Sequence, residues 1–126
     1  MAKVLIVDDS DIVLNLHSHI FELAGFDVAV AENGFVALEV LNREKIDLIV
    51  TDINMPRMDG YELIRKIRKT ENYENVPIII ISTEEEAKDI MKGMEAGANL
   101  YVVKPADPDK LITNANMLLG AKAIKK

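Results

Sequence analysis

The sequence contains no cysteine and no tryptophan, and aromatic residues make up only 5% of its 126 residues. Without cysteine, the chain has no disulfide framework and no cysteine-ligated zinc or iron–sulfur site. No apolar run approaches the roughly 20 residues of a membrane helix, and the N-terminus lacks a signal-peptide pattern. Basic residues are also scarce, with 15 Lys and Arg against 21 Asp and Glu. These absences argue against a nucleic-acid groove and favour a cytoplasmic protein without membrane contacts.

The remaining composition is that of a single globular domain. Hydrophobic residues make up 49% of the chain and charged residues 29%, with a net charge of -6, which is typical of a protein with one core. We expect one domain over residues 1–120, with no residues left for an attached output module. The basic segment 121–126 carries three lysines and is predicted to be a frayed, solvated helix end.

Short apolar runs rich in β-branched residues alternate with helical patterns along the chain. Three of these runs lack polar residues, which is typical of parallel strands buried on both faces, whereas the weaker second run suits an edge strand. The alternation predicts an open five-stranded parallel α/β sheet with five helices on both faces. The predicted strands are Val4–Val7, Val28–Ala31, Leu48–Val50, Ile78–Ile81 and Tyr101–Val103.

Each predicted helix has apolar residues at helical spacing. The first is expected to end at Gly25 and the fifth before Gly120. The two methionines of the fourth helix are predicted to be core residues. The predicted apolar stripes are Ile12, Leu16, Ile20 and Leu23; Ala37, Leu38 and Leu41; Leu63, Ile64 and Ile67; Ala87, Ile90, Met91, Met94 and Ala98; and Leu111, Ala115 and Leu118.

Charged or hydroxyl residues follow four of the predicted strands. Asp8 and Asp9 follow the first strand, Asp52 the third, Ser82 the fourth and Lys104 the fifth. Ligands of open parallel sheets bind beyond the carboxyl ends of the strands. We therefore expect these residues to converge at one rim of the sheet.

Each of these residues also has a purely structural explanation. Asp8 or Asp9 could cap the first helix, and Asp52 could be a turn residue. Ser82 could cap the fourth helix, and Lys104 could be a solvated surface lysine. A structural explanation for all of them requires four coincidences at matching strand ends, which favours a functional site.

Three carboxylates at one rim repel each other unless a cation lies among them. Oxygen ligands without His or Cys favour Mg²⁺, which leaves coordination positions open for phosphate oxygens. An aspartate carboxylate can attack phosphorus and form an aspartyl phosphate. The charge on the transferred group then needs a metal, a cation and polar donors around it. Asp52 as nucleophile, with Ser82 and Lys104 as donors, would provide such a site.

Four motifs stand in order along the chain: VLIVDDS, DLIVTDINMPRMDGYEL, PIIIIST and GANLYVVKP. Their order and spacing resemble the receiver domain of two-component response regulators, most closely the single-domain chemotaxis (CheY-like) type. The similarity covers residues 3 to about 119. It implies a flavodoxin-like sheet of order 2-1-3-4-5 and Mg²⁺ as the cofactor.

The resemblance implies a role for each matching acidic residue. Asp52 is the expected phosphoacceptor and a metal ligand. Asp9 is the expected direct carboxylate ligand of Mg²⁺, and Asp8 would act through bound water. The backbone carbonyl of Asn54 would complete the protein ligands.

The resemblance also implies a switch. Ser82 matches the hydroxyl residue that bonds a phosphoryl oxygen, and Lys104 the lysine that pairs with the acceptor. Pro105 matches the cis proline that follows this lysine. Tyr101 stands where the family carries an aromatic rotamer switch, and both Ser82 and Tyr101 are expected to shift inward on phosphorylation.

Four residues modify the family pattern. Asn54 and Glu84 occupy the positions that flank the phosphoryl group and set its lifetime. Thr83 replaces a smaller residue and is expected to restrict access to the acceptor. Ala106 replaces a phenylalanine, which weakens the comparison on that side of the output face.

The implied function is that of a stand-alone response regulator rather than a turnover enzyme. A histidine kinase would phosphorylate Asp52, and the face formed by the fourth helix, fifth strand and fifth helix would change its affinity for an output partner. Chemotaxis is the expected pathway, with the flagellar motor switch as a candidate partner and a phosphatase as another. We expect a monomer. A phosphorelay intermediate or a kinase adaptor would fit the same motifs.

Two other classes of protein share parts of this pattern. A Mg²⁺-dependent phosphohydrolase with an aspartate nucleophile usually has a second acid two residues later, where this chain has Asn54. A flavodoxin-like cofactor binder would need a loop rich in hydroxyl residues and glycine after the first strand, where Asp8 and Asp9 would repel phosphate. Both remain alternatives.

Other polar residues are predicted to be structural. His17 and His19 point to different faces of the first helix, so they form no metal pair and are expected at the surface or boundary. The segment Glu84–Glu86 is predicted to lie in the first turn of the fourth helix, where acids suit the helix dipole.

Overall fold

The computed structural model describes residues 2–124, with side chains as far as residue 120. Five parallel strands form one sheet in the order β2-β1-β3-β4-β5, which confirms the predicted architecture. The strands are β1 (Lys3–Val7), β2 (Asp27–Ala31), β3 (Leu48–Thr51), β4 (Ile78–Ser82) and β5 (Leu100–Val103). The helices are α1 (Asp11–Leu23), α2 (Gly34–Arg43), α3 (Gly60–Arg68), α4 (Ala87–Ala96) and α5 (Pro108–Ile124).

The sheet separates two hydrophobic clusters. Successive side chains of a strand point to opposite faces, so a central strand that is buried on both faces is apolar throughout. Leu5 of β1 packs with residues of α2 and α3, whereas Val4 and Ile6 pack with α1 and α5. This two-sided burial explains why the central strands show no polar alternation. Parallel pairing of β1 with β3 and of β3 with β4 brings the carboxyl ends of these three strands to the same edge.

Helix α1 buries a different face from the predicted one. Ile12, Leu16 and Leu23 are 81%, 56% and 76% exposed, so the predicted stripe is wrong at three of its four residues. The fourth, Ile20, is partly buried against the core. The buried residues of α1 are Leu14, His17 and Phe21. Both stripes have helical spacing, and the buried one contains a histidine, which a hydrophobic pattern counts as polar.

Helix α4 also departs from the prediction. Met91 and Met94 are 62% and 43% exposed, and the buried residues are Gly93 and Ala96. A Cβ at Gly93 would lie 2.6 Å from Cδ1 of Ile80, so a larger residue there would have to displace the Ile80 side chain. Small residues therefore face the sheet, and the methionines face outward.

Two predicted helix ends are also wrong. Glu84–Glu86 precede α4, which begins at Ala87 with Glu86 as its N-cap. Helix α5 continues through Gly120 to Ile124, because a helix can retain an isolated glycine at a modest cost. The side chains of the predicted basic tail, residues 121–126, lie outside the described residues. Among the described helices, none has the length and hydropathy needed to cross a membrane.

His17 is buried with only 5% exposure, contrary to the predicted surface or boundary position. Burial lowers the pKa of His17 below its ordinary value of 6.5, Lys104 lowers it further, and Asp8 acts in the opposite direction. The unfolded chain therefore binds a proton more readily than the folded protein. As a result, His17 destabilises the fold as the pH falls through 6.5.

A His17→Leu variant should lose this pH dependence. Between about pH 7.5 and pH 5.5, we expect the wild type to lose on the order of 1 kcal/mol more unfolding free energy than this variant. Urea unfolding at both pH values measures the difference. His19 is exposed, so His19→Leu is the matched control and should follow the wild type. An equal change in unfolding free energy between the two pH values for His17→Leu and His19→Leu would contradict the prediction.

Candidate functional site

The rim at the carboxyl ends of the strands brings the predicted residues together. Asp8 follows β1 and is 3% exposed, Asp52 follows β3 and is 9% exposed, and Ser82 ends β4 with no exposed surface. Lys104 follows β5, beside a cis peptide bond to Pro105. Residues separated by about a hundred positions in the chain thus share one small volume, as the sequence predicts.

The three aspartates form a cluster of carboxylates. Asp8, Asp9 and Asp52 each offer an oxygen atom, and these atoms lie within 4.8 Å of one another. Asp9 is exposed, whereas the other two are buried. An all-oxygen donor set of this kind suits a hard divalent cation with bound water. The residues present therefore fit Mg²⁺.

Lys104 partly compensates the negative charge of the buried Asp8 and Asp52 carboxylates. Its Nζ lies 3.2 Å from Oδ2 of Asp8 and 3.4 Å from Oδ2 of Asp52. The backbone N–H of Ile53 donates to Oδ1 of Asp52 at 2.7 Å. Burial raises the pKa of Asp52 despite these contacts, and the neighbouring Asp8 adds to the effect. The site therefore holds the Asp52 carboxylate in a position that disfavours its charged form.

Asp8 also has a local structural role. Its Oδ1 accepts a hydrogen bond from the N–H of Ser10 at 2.9 Å, and its Oδ2 faces Lys104. The N-cap of α1 is Ser10, whose Oγ accepts from the N–H of Val13. Ser10 therefore caps α1, and the alternative in which Asp8 or Asp9 caps this helix is wrong. Asp8 supports both the turn before α1 and the rim.

Gly60 fixes the backbone of Asp52. The N–H of Gly60 donates to the carbonyl of Ile53 at 2.8 Å. A Cβ at Gly60 would lie 2.2 Å from the carbonyl oxygen of Asp52. The start of α3, which Asp59 caps by accepting from the N–H of Glu62, therefore rests directly on the loop after β3. No local pattern in the sequence indicates this contact.

A Gly60→Ala variant should displace the Asp52 loop. Because the added methyl group meets backbone atoms, we expect a destabilisation of about 1–3 kcal/mol. Gly120→Ala is the control, since a Cβ there meets nothing within 4 Å, and it should be neutral or slightly stabilising. Urea unfolding measures both. A Gly60→Ala protein as stable as the control would contradict the proposed packing.

Ser82, Glu84 and Tyr101 form a second group beside the rim. The N–H of Glu84 donates to Oγ of Ser82 at 3.1 Å, and the hydroxyl of Tyr101 donates to the carbonyl of Glu84 at 2.7 Å. Nδ2 of Asn54 donates to the Glu84 carboxylate at 2.9 Å. Burial raises the pKa of Tyr101, and the nearby Ser82 hydroxyl acts in the opposite direction. Glu84 thus connects the loop after β3 with β4 and β5.

Several observations modify the predictions for these residues. Ser82 does not cap α4, because its hydroxyl bonds to the N–H of Glu84. Tyr101 is half-buried, with its hydroxyl already held at Glu84. Thr83 is exposed. Ala106 packs at the edge of the cluster between the sheet and α1 and α5.

Comparisons with known proteins agree with this geometry. The family model of the response regulator receiver domain matches residues 4–116. A chemotaxis protein CheY homolog of Campylobacter jejuni is 37% identical over 120 residues, which cover 94% of this chain and 92% of the relative. Chemotaxis protein CheY1 of Helicobacter pylori is 35% identical, with coverage of 94% and 97%. The structure of Vibrio cholerae CheY4 superposes with a TM-score of 0.89 at 35% identity, covering 94% of this chain and 98% of that one.

The fold and the rim define a doubly wound α/β protein with a carboxylate site at the carboxyl ends of its strands. The family model matches residues 4–116, so the family assignment rests on nearly the whole domain. The chain belongs to the response regulator receiver domain family, and its similarity to CheY proteins extends over nearly the whole sequence.

Proposed function

We propose that this protein is a signalling switch that accepts a phosphoryl group on Asp52 from a histidine kinase. The observation that carries the proposal is the buried Asp52 carboxylate, which lies 3.4 Å from Nζ of Lys104 and clusters with Asp8 and Asp9. A carboxylate oxygen of Asp52 would form a bond to phosphorus while the phosphorus–nitrogen bond of the phosphohistidine breaks. The product is an aspartyl phosphate and a free histidine on the kinase.

The chain supplies most of the groups that this transfer needs. Asp9, Asp8, Asp52 and the carbonyl of Asn54 would hold Mg²⁺, which when bound would offset negative charge on the carboxylates and the phosphoryl oxygens. Lys104 would donate to the new group from its position 3.4 Å from Oδ2 of Asp52. The hydroxyl of Ser82 would bond a phosphoryl oxygen, which would disturb its contact with Glu84.

The output face would be formed by α4, β5 and α5. Met91 and Met94 on α4 and Met117 on α5 are large exposed apolar side chains, and flexible methionines suit a protein-binding surface. Tyr101 of β5 and the Glu84 carbonyl connect this face to Ser82. By analogy with the chemotaxis proteins that the chain resembles, we propose a partner in motility control.

Intact mass spectrometry tests the proposed function. After incubation with acetyl phosphate and Mg²⁺, the wild type should gain the mass of one phosphoryl group, and EDTA should prevent the gain. If neither acetyl phosphate nor a histidine kinase produces this gain, the proposal is wrong. Repeated turnover of a generic phosphoester, beyond one phosphoryl group per chain, would favour the phosphohydrolase instead.

The exposed stripe on α1 is the proposed kinase contact. Helix α1 begins two residues after Asp9, and Ile12 in its first turn is 81% exposed. A kinase whose histidine reaches Asp52 must cover this part of the rim. Leu23 lies on the same stripe, roughly 16 Å further along the helix, and is 76% exposed.

An Ile12→Ser variant should accept phosphoryl groups more slowly from a kinase but not from acetyl phosphate. We expect a loss of about tenfold in the rate of transfer from a purified kinase that phosphorylates the wild type, as for a central contact of an interface. Leu23→Ser is the matched control and should change the rate by less than about twofold. Equal losses for both variants, or an equal loss with acetyl phosphate, would contradict this contact.

A further inference from the structure

Helix α4 buries few of its residues against the rest of the domain. Of its ten residues, Gly93 and Ala96 are buried, whereas the nine residues of α3 include five that are buried. Its N-cap residue, Glu86, makes no side-chain capping bond. A helix with so little buried apolar surface opens or shifts at a low free-energy cost. Individual hydrogen bonds to α4 therefore have a large share in fixing its position.

Helix α3 holds α4 at two points. Near the start of α4, the hydroxyl of Tyr61 donates to the backbone carbonyl of Asp89 at 3.1 Å, and Nζ of Lys92 lies 4.7 Å from the centre of the Tyr61 ring. At the other end, Nη2 and Nε of Arg68 donate to the carbonyl of Gly97 at 2.7 and 3.0 Å. Both Tyr61 and Arg68 belong to α3.

Gly60, the residue before Tyr61, rests on the Asp52 loop, which follows β3. Gly60 donates to the carbonyl of Ile53, and its Cα approaches the backbone of Asp52 so closely that no Cβ would fit. Tyr61 is 5% exposed and has little space to change its rotamer. One peptide unit therefore separates the contact with the Asp52 loop from the side chain that holds α4.

The Tyr61 hydroxyl is a stable donor in this arrangement. Burial raises the pKa of Tyr61 to about 12, and the charges of Asp89 and Asp59 add to this effect. The phenol therefore keeps its proton at neutral pH and can continue to donate to Asp89. The bond is separate from the one that Tyr101 makes to Glu84, which acts on the loop before α4.

We propose that Tyr61 is a positioning residue that links the Asp52 loop to α4 and sets how readily α4 moves when the site is occupied. This inference rests on the proposed function. It adds a connection through α3 to the one through Ser82 and Tyr101. The Tyr61–Asp89 bond stabilises the arrangement of α4 described above, so its loss should favour any activated arrangement in which α4 moves.

The Tyr61→Phe variant tests the link with beryllofluoride as a phosphoryl mimic. At saturating Mg²⁺, the apparent Kd for beryllofluoride should fall by about fivefold, the effect expected for one neutral hydrogen bond. Backbone amide NMR shifts of Gly93 and Gly97 report binding from within and beside α4. Amide hydrogen exchange in α4 should also be faster in this variant.

Tyr73→Phe provides the matched control. Tyr73 is also buried, and its hydroxyl donates to the carbonyl of Glu44 and accepts from the N–H of Ile46, away from α4. This variant should lose unfolding stability while its Kd changes by less than about twofold. Equal changes in both variants, or unchanged or weaker binding in Tyr61→Phe, would overturn the role of Tyr61. A wild type that does not bind beryllofluoride would contradict the proposed function itself, and this inference with it.

Discussion

An Asp52→Asn variant should gain no phosphoryl group from acetyl phosphate and Mg²⁺, and should nevertheless be more stable than the wild type when metal is removed. The amide lacks the charged nucleophile, so the loss of phosphorylation is complete. The gain in stability follows from burial, which raises the pKa of Asp52 and so makes its charged form unfavourable in the fold. In EDTA at neutral pH, we expect a gain on the order of 1 kcal/mol.

The sign of the pH dependence follows from the raised pKa. The folded protein binds a proton at Asp52 more readily than the unfolded chain, whose carboxyl has a pKa of 3.8. The cost of the charged carboxylate is therefore present above the folded-state pKa and disappears as the pH falls to 3.8. The unfolding free energy that Asp52→Asn gains over the wild type should therefore shrink as the pH falls from the folded-state pKa of Asp52 to 3.8.

The control for Asp52→Asn is Asp27→Asn, a change of the same charge at an exposed residue at the start of β2. It should change the unfolding free energy by less than about 0.5 kcal/mol and leave phosphorylation intact. Mg²⁺ should stabilise the wild type by mass action. The difference in unfolding free energy between the wild type and Asp52→Asn should therefore be smaller with Mg²⁺ than with EDTA. Urea unfolding with EDTA and with Mg²⁺ measures these differences. A less stable Asp52→Asn protein in EDTA would contradict the electrostatic account of the rim.

A Lys104→Met variant should show the opposite change in stability. Lys104 is the cation between the buried Asp8 and Asp52, and its removal leaves two carboxylates close together without a partner. We expect a loss of about 2–3 kcal/mol in EDTA, below the full cost of an unpaired buried charge because the lysine side chain is partly exposed. Phosphorylation should slow by at least about tenfold, because a donor to the phosphoryl group is lost.

Lys88→Met is the control for the lysine variant. Lys88 forms an ion pair with Glu86 at 3.5 Å, but its side chain is 77% exposed. Its loss should cost less than about 0.5 kcal/mol. Mg²⁺ should recover part of the stability of Lys104→Met by supplying positive charge to the same carboxylates. If Lys104→Met and Lys88→Met were equally stable in EDTA, this would contradict the claim that Lys104 stabilises the buried carboxylates of the rim.

The sheet and the rim could be predicted because both depend on patterns that survive in the sequence. Central strands that are buried on both faces need apolar residues at every position, and the runs Ile78–Ile81 and Leu48–Val50 show this directly. Parallel topology then places the residues after each strand at one edge. The convergence of Asp8, Asp52 and Lys104 therefore follows from chain order and the fold class together.

The orientation of α1 and α4 could not be predicted in this way. Helix α1 carries two apolar stripes, and periodicity cannot tell which one faces the sheet. The structure buries the stripe with His17 and leaves Ile12 exposed. In α4, the close approach at Gly93 is a tertiary contact with Ile80, and no local pattern indicates it. The exposed stripes that result lie where we propose kinase and output contacts.

Polar contacts between side chains of different elements, at the site and between α3 and α4, could not be predicted from the sequence. The bond from Asn54 to Glu84 joins residues 30 positions apart, and the bond from Tyr61 to Asp89 joins residues 28 apart. These contacts depend on how side chains of different elements meet after folding. Motifs indicate that Asn54 and Glu84 lie at the site, but they do not indicate that the two side chains bind each other.

The most direct test of the central claim is to locate the phosphoryl group chemically. Borohydride reduction converts an aspartyl phosphate to homoserine, and peptide mass spectrometry then identifies the modified position. After incubation with acetyl phosphate and Mg²⁺, we expect homoserine at position 52 and none in the EDTA control. Homoserine at another aspartate, or no homoserine when the intact protein has gained phosphoryl mass, would contradict the assignment of Asp52 as the phosphoacceptor.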